Sequence, residues 1–391
     1  MGFTQRLNDG FAALFYAERR IDPYFRDGFD RVFQRPLVAL TQAMINLIRP
    51  RIHLAIGEEL SLPNEQELTL AIIRQMALFL KVHYQGRPAE RAGNTKTYGV
   101  VRAQFEVLPD LSPELCRGLF TEPRTYAAWV RFAGPGPLSP PDIRDNGVLS
   151  IGIKLTGVSG DKLLDDEKLT QDFTGISAPT FTTPNITENV KLQRHVSDGT
   201  PFLYFLSHPL DAVMQGLYSR TQTSPLEVRY WSCVPYAYGD EPPVQYSVVP
   251  SLPHRSPIPM PPPDDYLRQT MARTLADRAV DFDFSVQFQT NPHRMPIENA
   301  SVQWPERLSP FRRVARLHIP IQRFDSPAQL LFARNLAYNP WHCIPAHRPL
   351  GNQSRARRSI YLELSRLRQA MNGERHIEPT GDEVFADVAA G

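Results

Sequence analysis

The chain has 391 residues, 42% of them hydrophobic and 21% charged, which excludes a disordered chain and can supply one large core or two modest ones. Its 43 basic residues nearly balance its 41 acidic ones, and a net charge of +2 gives no reason to expect a nucleic-acid partner. Cys116, Cys233 and Cys343 are isolated thiols without CxxC spacing, which argues against a disulfide scaffold and against a structural zinc site.

Met1 to Arg20 already carries Arg6, Asp9, Glu18 and Arg19, so it lacks the basic-then-apolar order of a signal peptide. No stretch approaches the ~20 apolar residues that cross a bilayer. A cytoplasmic, reduced location is the expectation. Residues 1–85 read as helical: Phe11, Leu14 and Phe15, then Leu37, Leu40, Met44, Leu47 and Ile48, recur at helical spacing. Glu65 to Val82 is a stronger run, and Pro23, Pro36, Pro50 and Pro63 punctuate the series.

From Gly99 the pattern changes to strands. Val100–Val107, Tyr126–Phe132, Val148–Leu155, Glu227–Tyr236, Val244–Val249, Phe282–Gln289 and Val314–Gln322 are the predicted set. Proline-dense Pro250 to Asp265 reads as a surface arm or wrapping loop. Residues 327–340 and 353–371 return to helical character, and 372–391 read as a frayed tail. Helices, a many-stranded antiparallel body and helices again make an α+β plan built round a β-barrel. The expected divisions are a helical segment 1–87, a core 88–350, and a C-terminal helix and tail 351–391.

Chemistry points to Leu331-Phe332-Ala333-Arg334-Asn335-Leu336-Ala337-Tyr338. Arg334 and Tyr338 are four apart on a predicted helix, so both should project from one face. A guanidinium one turn away favours a phenolate by charge and hydrogen bonding, and tyrosine is one of the axial ligands of haem iron. Taken alone, the spacing is common on ordinary helix surfaces.

Its context narrows the reading. The run VARLHIPIQRFDSPAQLLFARNLAY resembles the catalase superfamily, in which a strand leads into a helix bearing Arg-x-x-x-Tyr. RAGNTKTYGVVRAQFEV, from Arg91 to Val107, is similar to the segment in which an Arg precedes the distal His by three residues, with Lys96 and Phe105-Glu106-Val107 following. Ala128-Trp129-Val130-Arg131-Phe132 resembles the Val-Arg-Phe strand whose Arg meets a haem propionate. Arg144-Asp145 and Gln171-Asp172-Phe173 fit the next two landmarks. With the run NPWHCIPAHRPLGNQSRARRSIYLELSRLR, the whole is similar to a mostly bacterial branch of catalase-like haem proteins. The resemblance implies a catalase-like antiparallel barrel with flanking helices. It implies haem b with iron on Tyr338, cofactor contacts from Arg91, Arg131 and Arg334, a peroxide substrate, and a homo-oligomer in which the 250–265 arm takes part.

The chain departs from the family on the side opposite the ligand. Asn94, or Thr95 if the register slips by one, stands where the distal His belongs. Ser177 stands where a distal Asn belongs, and Pro345 replaces a second Arg seven residues after the tyrosine. Heterolysis of hydrogen peroxide needs a base to move a proton between its oxygens. Neither an amide nor a hydroxyl serves as that base near pH 7. The expected activity is therefore weak on hydrogen peroxide and directed at an organic hydroperoxide, a fatty-acid hydroperoxide among the options, with the apolar N-terminal helices lining an entrance. The alternatives are a haem-binding protein without turnover and a residual catalase relaying protons through Tyr98 or water. His342 and His347 are expected to pack in loops, His83 and His318 to be satisfied core or rim residues, and Arg355, Arg357, Arg358, Arg366 and Arg368 to form a solvated helix face.

Overall fold

The computed structural model describes residues 3–385. Nine strands form a single antiparallel sheet: β1 (Thr97–Val107), β2 (Thr125–Ala133), β3 (Ser150–Leu155), β4 (Gln171–Ile176), β5 (Tyr230–Trp231), β6 (Tyr236–Tyr238), β7 (Glu241–Pro250), β8 (Val280–Phe288) and β9 (Arg312–Ile319). Pairing runs β5-β4-β3-β2-β1-β9-β8-β7, and β5 also pairs with β7, so eight strands close a barrel and β6 hangs on β7 as a hairpin. Closure removes the unpaired edge that an open sheet of this length would expose.

Alternation fills the barrel. Tyr126, Ala128, Val130 and Phe132 of β2 join Ile151 and Ile153 of β3, Phe173 of β4 and Phe284 of β8 in one apolar core. Phe105, Phe173, Tyr246 and Phe284 pack against one another within it in stacked, tilted and edge-on pairs. The other face of β2 carries Trp129 and Arg131, opposite Lys154 and Gly152 of β3. Every residue of β3 is buried, so this outer face is covered too.

The cover comes from both ends of the chain. Helix α8 (Pro327–Asn335) lies on β1, and Trp129, Val100, Ala333 and Leu336 form a small second core there. Helices α3 (Glu65–His83), α4 (Ile186–Ser197) and α9 (Asn352–Asn372) pack together beside it. The first helices, α1 (Phe3–Phe29) and α2 (Arg35–Ile48), are joined through a π-helical turn, Asp30–Gln34, and rest on α5 (Pro201–Ser207) and α6 (Pro209–Tyr218). Helix α7 (Tyr266–Asp277) packs on β1.

The predicted strand Glu227–Tyr236 is corrected to two short strands separated at Cys233, whose φ of 59° breaks the extended run. Strand β4 and helices α4–α7 carry no matching sequence expectation. In β4, Asp172 faces a buried ion cluster, so polar and apolar residues do not alternate as in a half-exposed strand. The arm 251–265 is irregular, as its prolines require.

Candidate active site on the outer face of the barrel

Tyr338 is held by a glycine. A Cβ built on Gly152 would lie 2.8 Å from Tyr338 Cδ1, so only glycine at this point of β3 lets the ring lie flat on the sheet. The phenol hydroxyl donates a long bond, 3.3 Å, to the Trp129 carbonyl. Tyr338 lies deep in the protein yet keeps part of its surface accessible, as does Arg91.

The expectation that Arg334 and Tyr338 share a helix face is corrected. Helix α8 stops at Asn335, because Leu336 turns to ψ 140° and the chain runs on extended to Tyr338. Arg334 instead pairs with Glu374 at 2.8 Å. Two other arginines end the helix: Arg91 donates to the carbonyls of Ala333 and Leu336, and Arg368 to those of Asn335 and Leu336. They satisfy acceptors that a helix C-terminus leaves open and place positive charge at its negative end. Arg368 is 2% exposed, and Arg355 and Arg357 are also engaged within the protein, so α9 does not present the solvated arginine face expected of it.

Arg131 completes the group. Its guanidinium donates to the carbonyls of Asn94 and Thr95 and to the Thr97 hydroxyl, tying the 94–97 turn to β2. Asn94 has φ 48°, a left-handed conformation that asparagine tolerates better than most residues. Its side-chain amide has no hydrogen-bond partner among the described residues. Thr95, by contrast, is buried with its hydroxyl on the Arg91 carbonyl at 2.7 Å. Ser177 is also tied: its backbone N–H donates to the Leu149 carbonyl, and its hydroxyl accepts from the Leu149 N–H at 2.9 Å. Tyr98 belongs to the barrel interior, where burial and then Asp142 and Asp145 keep its phenol neutral.

Charges of both signs act on Tyr338: Asp172 and Glu167 on one hand, Arg131 and Arg91 on the other. Arg91, Arg131, Arg334 and Arg368 converge on the end of α8 and the adjoining strands, and Glu374 is the one carboxylate that bonds to any of them among the described residues. Burial, and then Arg91, depresses both Arg131 and Arg368, while burial pulls Arg91 down to about 10. For Tyr338, burial and then Asp172 raise the pKa, whereas Arg131 and Arg91 work in the opposite direction. An anion entering beside Arg91 and Arg131 would meet guanidinium ions to which no carboxylate bonds among the described residues.

No family model matches the sequence, nor does any curated protein. Among solved structures, a fungal catalase superposes with a TM-score of 0.59 at 18% identity, over 83% of this chain and 66% of its own. Catalase A from Saccharomyces cerevisiae gives 0.58 at 15% identity, over 88% and 74%, and a bacterial catalase 0.56 at 15%, over 88% and 71%. The chain has the catalase fold. It spans 66% of the length of that fungal catalase.

Within its catalase fold, the chain places Arg91 and Arg131 near enough to Tyr338 for their charges to act on it, and sends Arg334 to Glu374. The sequence reading missed the layer beneath. Lys154 is fully buried, bonded to Glu167 and Asp172 and 3.3 Å from His342 Nδ1. Asp172 also accepts from the Asn339 N–H at 2.8 Å, which fixes the backbone next to Tyr338. The Lys154 ammonium is shared by Glu167 and Asp172, and His342 reaches Asp172 through Nδ1 and Asp166 through Nε2 beside it. His342 is therefore part of an ion cluster. His347, as expected, packs in a loop, with Nε2 accepting from the Leu119 N–H against Phe120. A lysine inside the otherwise apolar Ser150–Leu155 run was the available signal, since such a residue is buried only with a partner.

Proposed function

We propose that this chain binds a haem beside Tyr338 and acts as an oxidoreductase on a peroxide, favouring an organic hydroperoxide over hydrogen peroxide. The observation that carries this reading is that Arg91 and Arg131 act on a phenol with accessible surface while, among the described residues, no carboxylate bonds to Arg91, Arg131 or Arg368. Buried like charges persist where something of opposite sign meets them. A tyrosinate together with the two carboxylates of haem b fits that requirement, and the Gly152 cradle fits the flat approach of the ring.

In this reading Tyr338 would hold the iron through its oxygen, and Arg91, Arg131 and Arg368 would face the propionates. Bound there, the group would supply the electrons for cleaving a peroxide O–O bond. Burial and Asp172 hold the phenol protonated, and Arg131 and Arg91 work against them toward the deprotonated form that an iron ligand needs. The Asn94 amide is the free donor of the 94–97 turn and would orient a hydroperoxide oxygen, while the Ser177 hydroxyl is already an acceptor for Leu149. No imidazole or carboxylate stands in the position where the distal His was expected, so proton transfer between peroxide oxygens loses ~10²–10⁴ in rate.

The test is the absorption spectrum of the purified protein after reconstitution with haem, beside Tyr338→Phe. The wild type should bind haem and show a charge-transfer pattern of tyrosinate ligation that the variant loses. Single turnover of a fatty-acid hydroperoxide should outpace that of hydrogen peroxide. A protein that stays colourless would end the proposal.

A further inference from the structure

Helix α1 is amphipathic the wrong way round. Its fully buried residues are polar: Asn8, Arg19, Asp22 and Arg26, with Asp22 at 1% exposure, bond to residues 199–221, while Phe15 packs on Phe202. Its outward side carries Phe3, Leu7, Leu14, Ile21 and Phe25, continued by Val32, with Phe3 83% and Leu14 66% exposed. The spacing of four and seven residues sets these side chains in one stripe. Helix α2 prolongs the apolar surface through Leu40, Met44 and Leu47. From Phe3 to Ile48 the two helices extend roughly 70 Å at about 1.5 Å per residue.

The exposed charges of these helices that have no ion-pair partner among the described residues are four arginines and Asp9. Arg6, Arg20, Arg31 and Arg35 are exposed, and among the described residues the ion pairs of the two helices use other side chains: Glu18 with Arg19, Asp22 and Asp30 with Arg26, and Asp27 with Arg220 and Arg255. On the outer surface of α1, Asp9 is the exposed carboxylate left to oppose them, and it accepts from Gln5. An apolar stripe with aromatic residues and flanking arginines matches an interfacial helix that lies in the headgroup layer of an anionic bilayer. Two copies of the chain apposed along the same stripe would bring these arginines together with Asp9 alone to meet them. The charge pattern therefore favours lipid.

We infer that α1 and α2 dock this protein on the surface of a membrane containing anionic phospholipid, with the apolar stripe inserted and the four arginines among the headgroups. This docking is independent of what binds beside Tyr338, and its readout needs no haem. The full chain should co-sediment with vesicles of phosphatidylcholine and phosphatidylglycerol far better than with phosphatidylcholine alone, and the difference should shrink in high salt. Removing Arg20 and Arg31 together (R20A/R31A) should weaken binding about fivefold per arginine. L14E/I21E, at exposed positions, should abolish binding while leaving the circular dichroism spectrum unchanged. Failure of the wild type to bind anionic vesicles would overturn the inference. So would a wild-type dimer, by light scattering, that L14E/I21E converts to a monomer, because the stripe would then be an interface between copies.

Discussion

Raising the pH from about 6 to about 10 should destabilise the protein through His342. Burial and the Lys154 ammonium oppose its protonation, but hydrogen bonds to Asp166 and Asp172 and the charge of Asp172 outweigh them, lifting its pKa from 6.5 to about 9. A raised folded-state value means that the imidazolium stabilises the fold in full below pH 6.5, and that this contribution disappears as the pH climbs through 9. At roughly 1.4 kcal/mol per pH unit the displacement corresponds to about 3 kcal/mol. His342 is only 1% exposed, so solvent screens little of it. That is a large part of an ordinary domain's stability of ~5–15 kcal/mol. Urea unfolding of the wild type and His342→Gln at a series of pH values would measure it. The variant should be less stable at pH 6, and the two curves should converge by pH 10. Parallel curves across the range would refute the assignment of the proton to His342.

Other perturbations reach the same region. Lys154→Met would leave Glu167 and Asp172 buried without their shared cation and should cost about 3–5 kcal/mol, read as a lowered urea midpoint. Gly152→Ala should push the Tyr338 ring off the sheet, at a cost of about 1–3 kcal/mol, and weaken haem uptake in a titration followed at the Soret band. Asn94→His restores an imidazole on the 94–97 turn and should raise oxygen evolution from hydrogen peroxide, by up to ~10²-fold if the positioned base is what the chain lacks. An unchanged rate in a variant that still binds haem would show that the missing base is not the limit.

The closed antiparallel body was legible in the order of runs such as Tyr126–Phe132 and Phe282–Gln289, because alternating apolar residues record which side of a strand meets the core. Segments buried on both faces were less legible. Strand β4 escaped because its outward residues face charge instead of water, and the Glu227–Tyr236 run was taken for one strand because nothing local marks Cys233 as left-handed. At the candidate site the sequence nominated Tyr338, Arg91 and Arg131 through their resemblance to a known series of motifs, and the charges of both arginines act on the phenol.

The sequence by itself determined the strand-forming body, its helical flanks and the missing imidazole at position 94, since these are properties of residue type and period. Tertiary structure alone decided which charges share a space. Arg334 turned away to Glu374, Arg368 left a supposed solvent face to end α8, and Lys154 found Glu167, Asp172 and His342 from distant segments. Helix α1 shows the same division: its pattern announced a helix, but which side faced the protein depended on hydrogen bonds to residues about 190 positions away. A periodicity fixes the faces of an element. What each face touches is set by chain segments that local sequence does not encode.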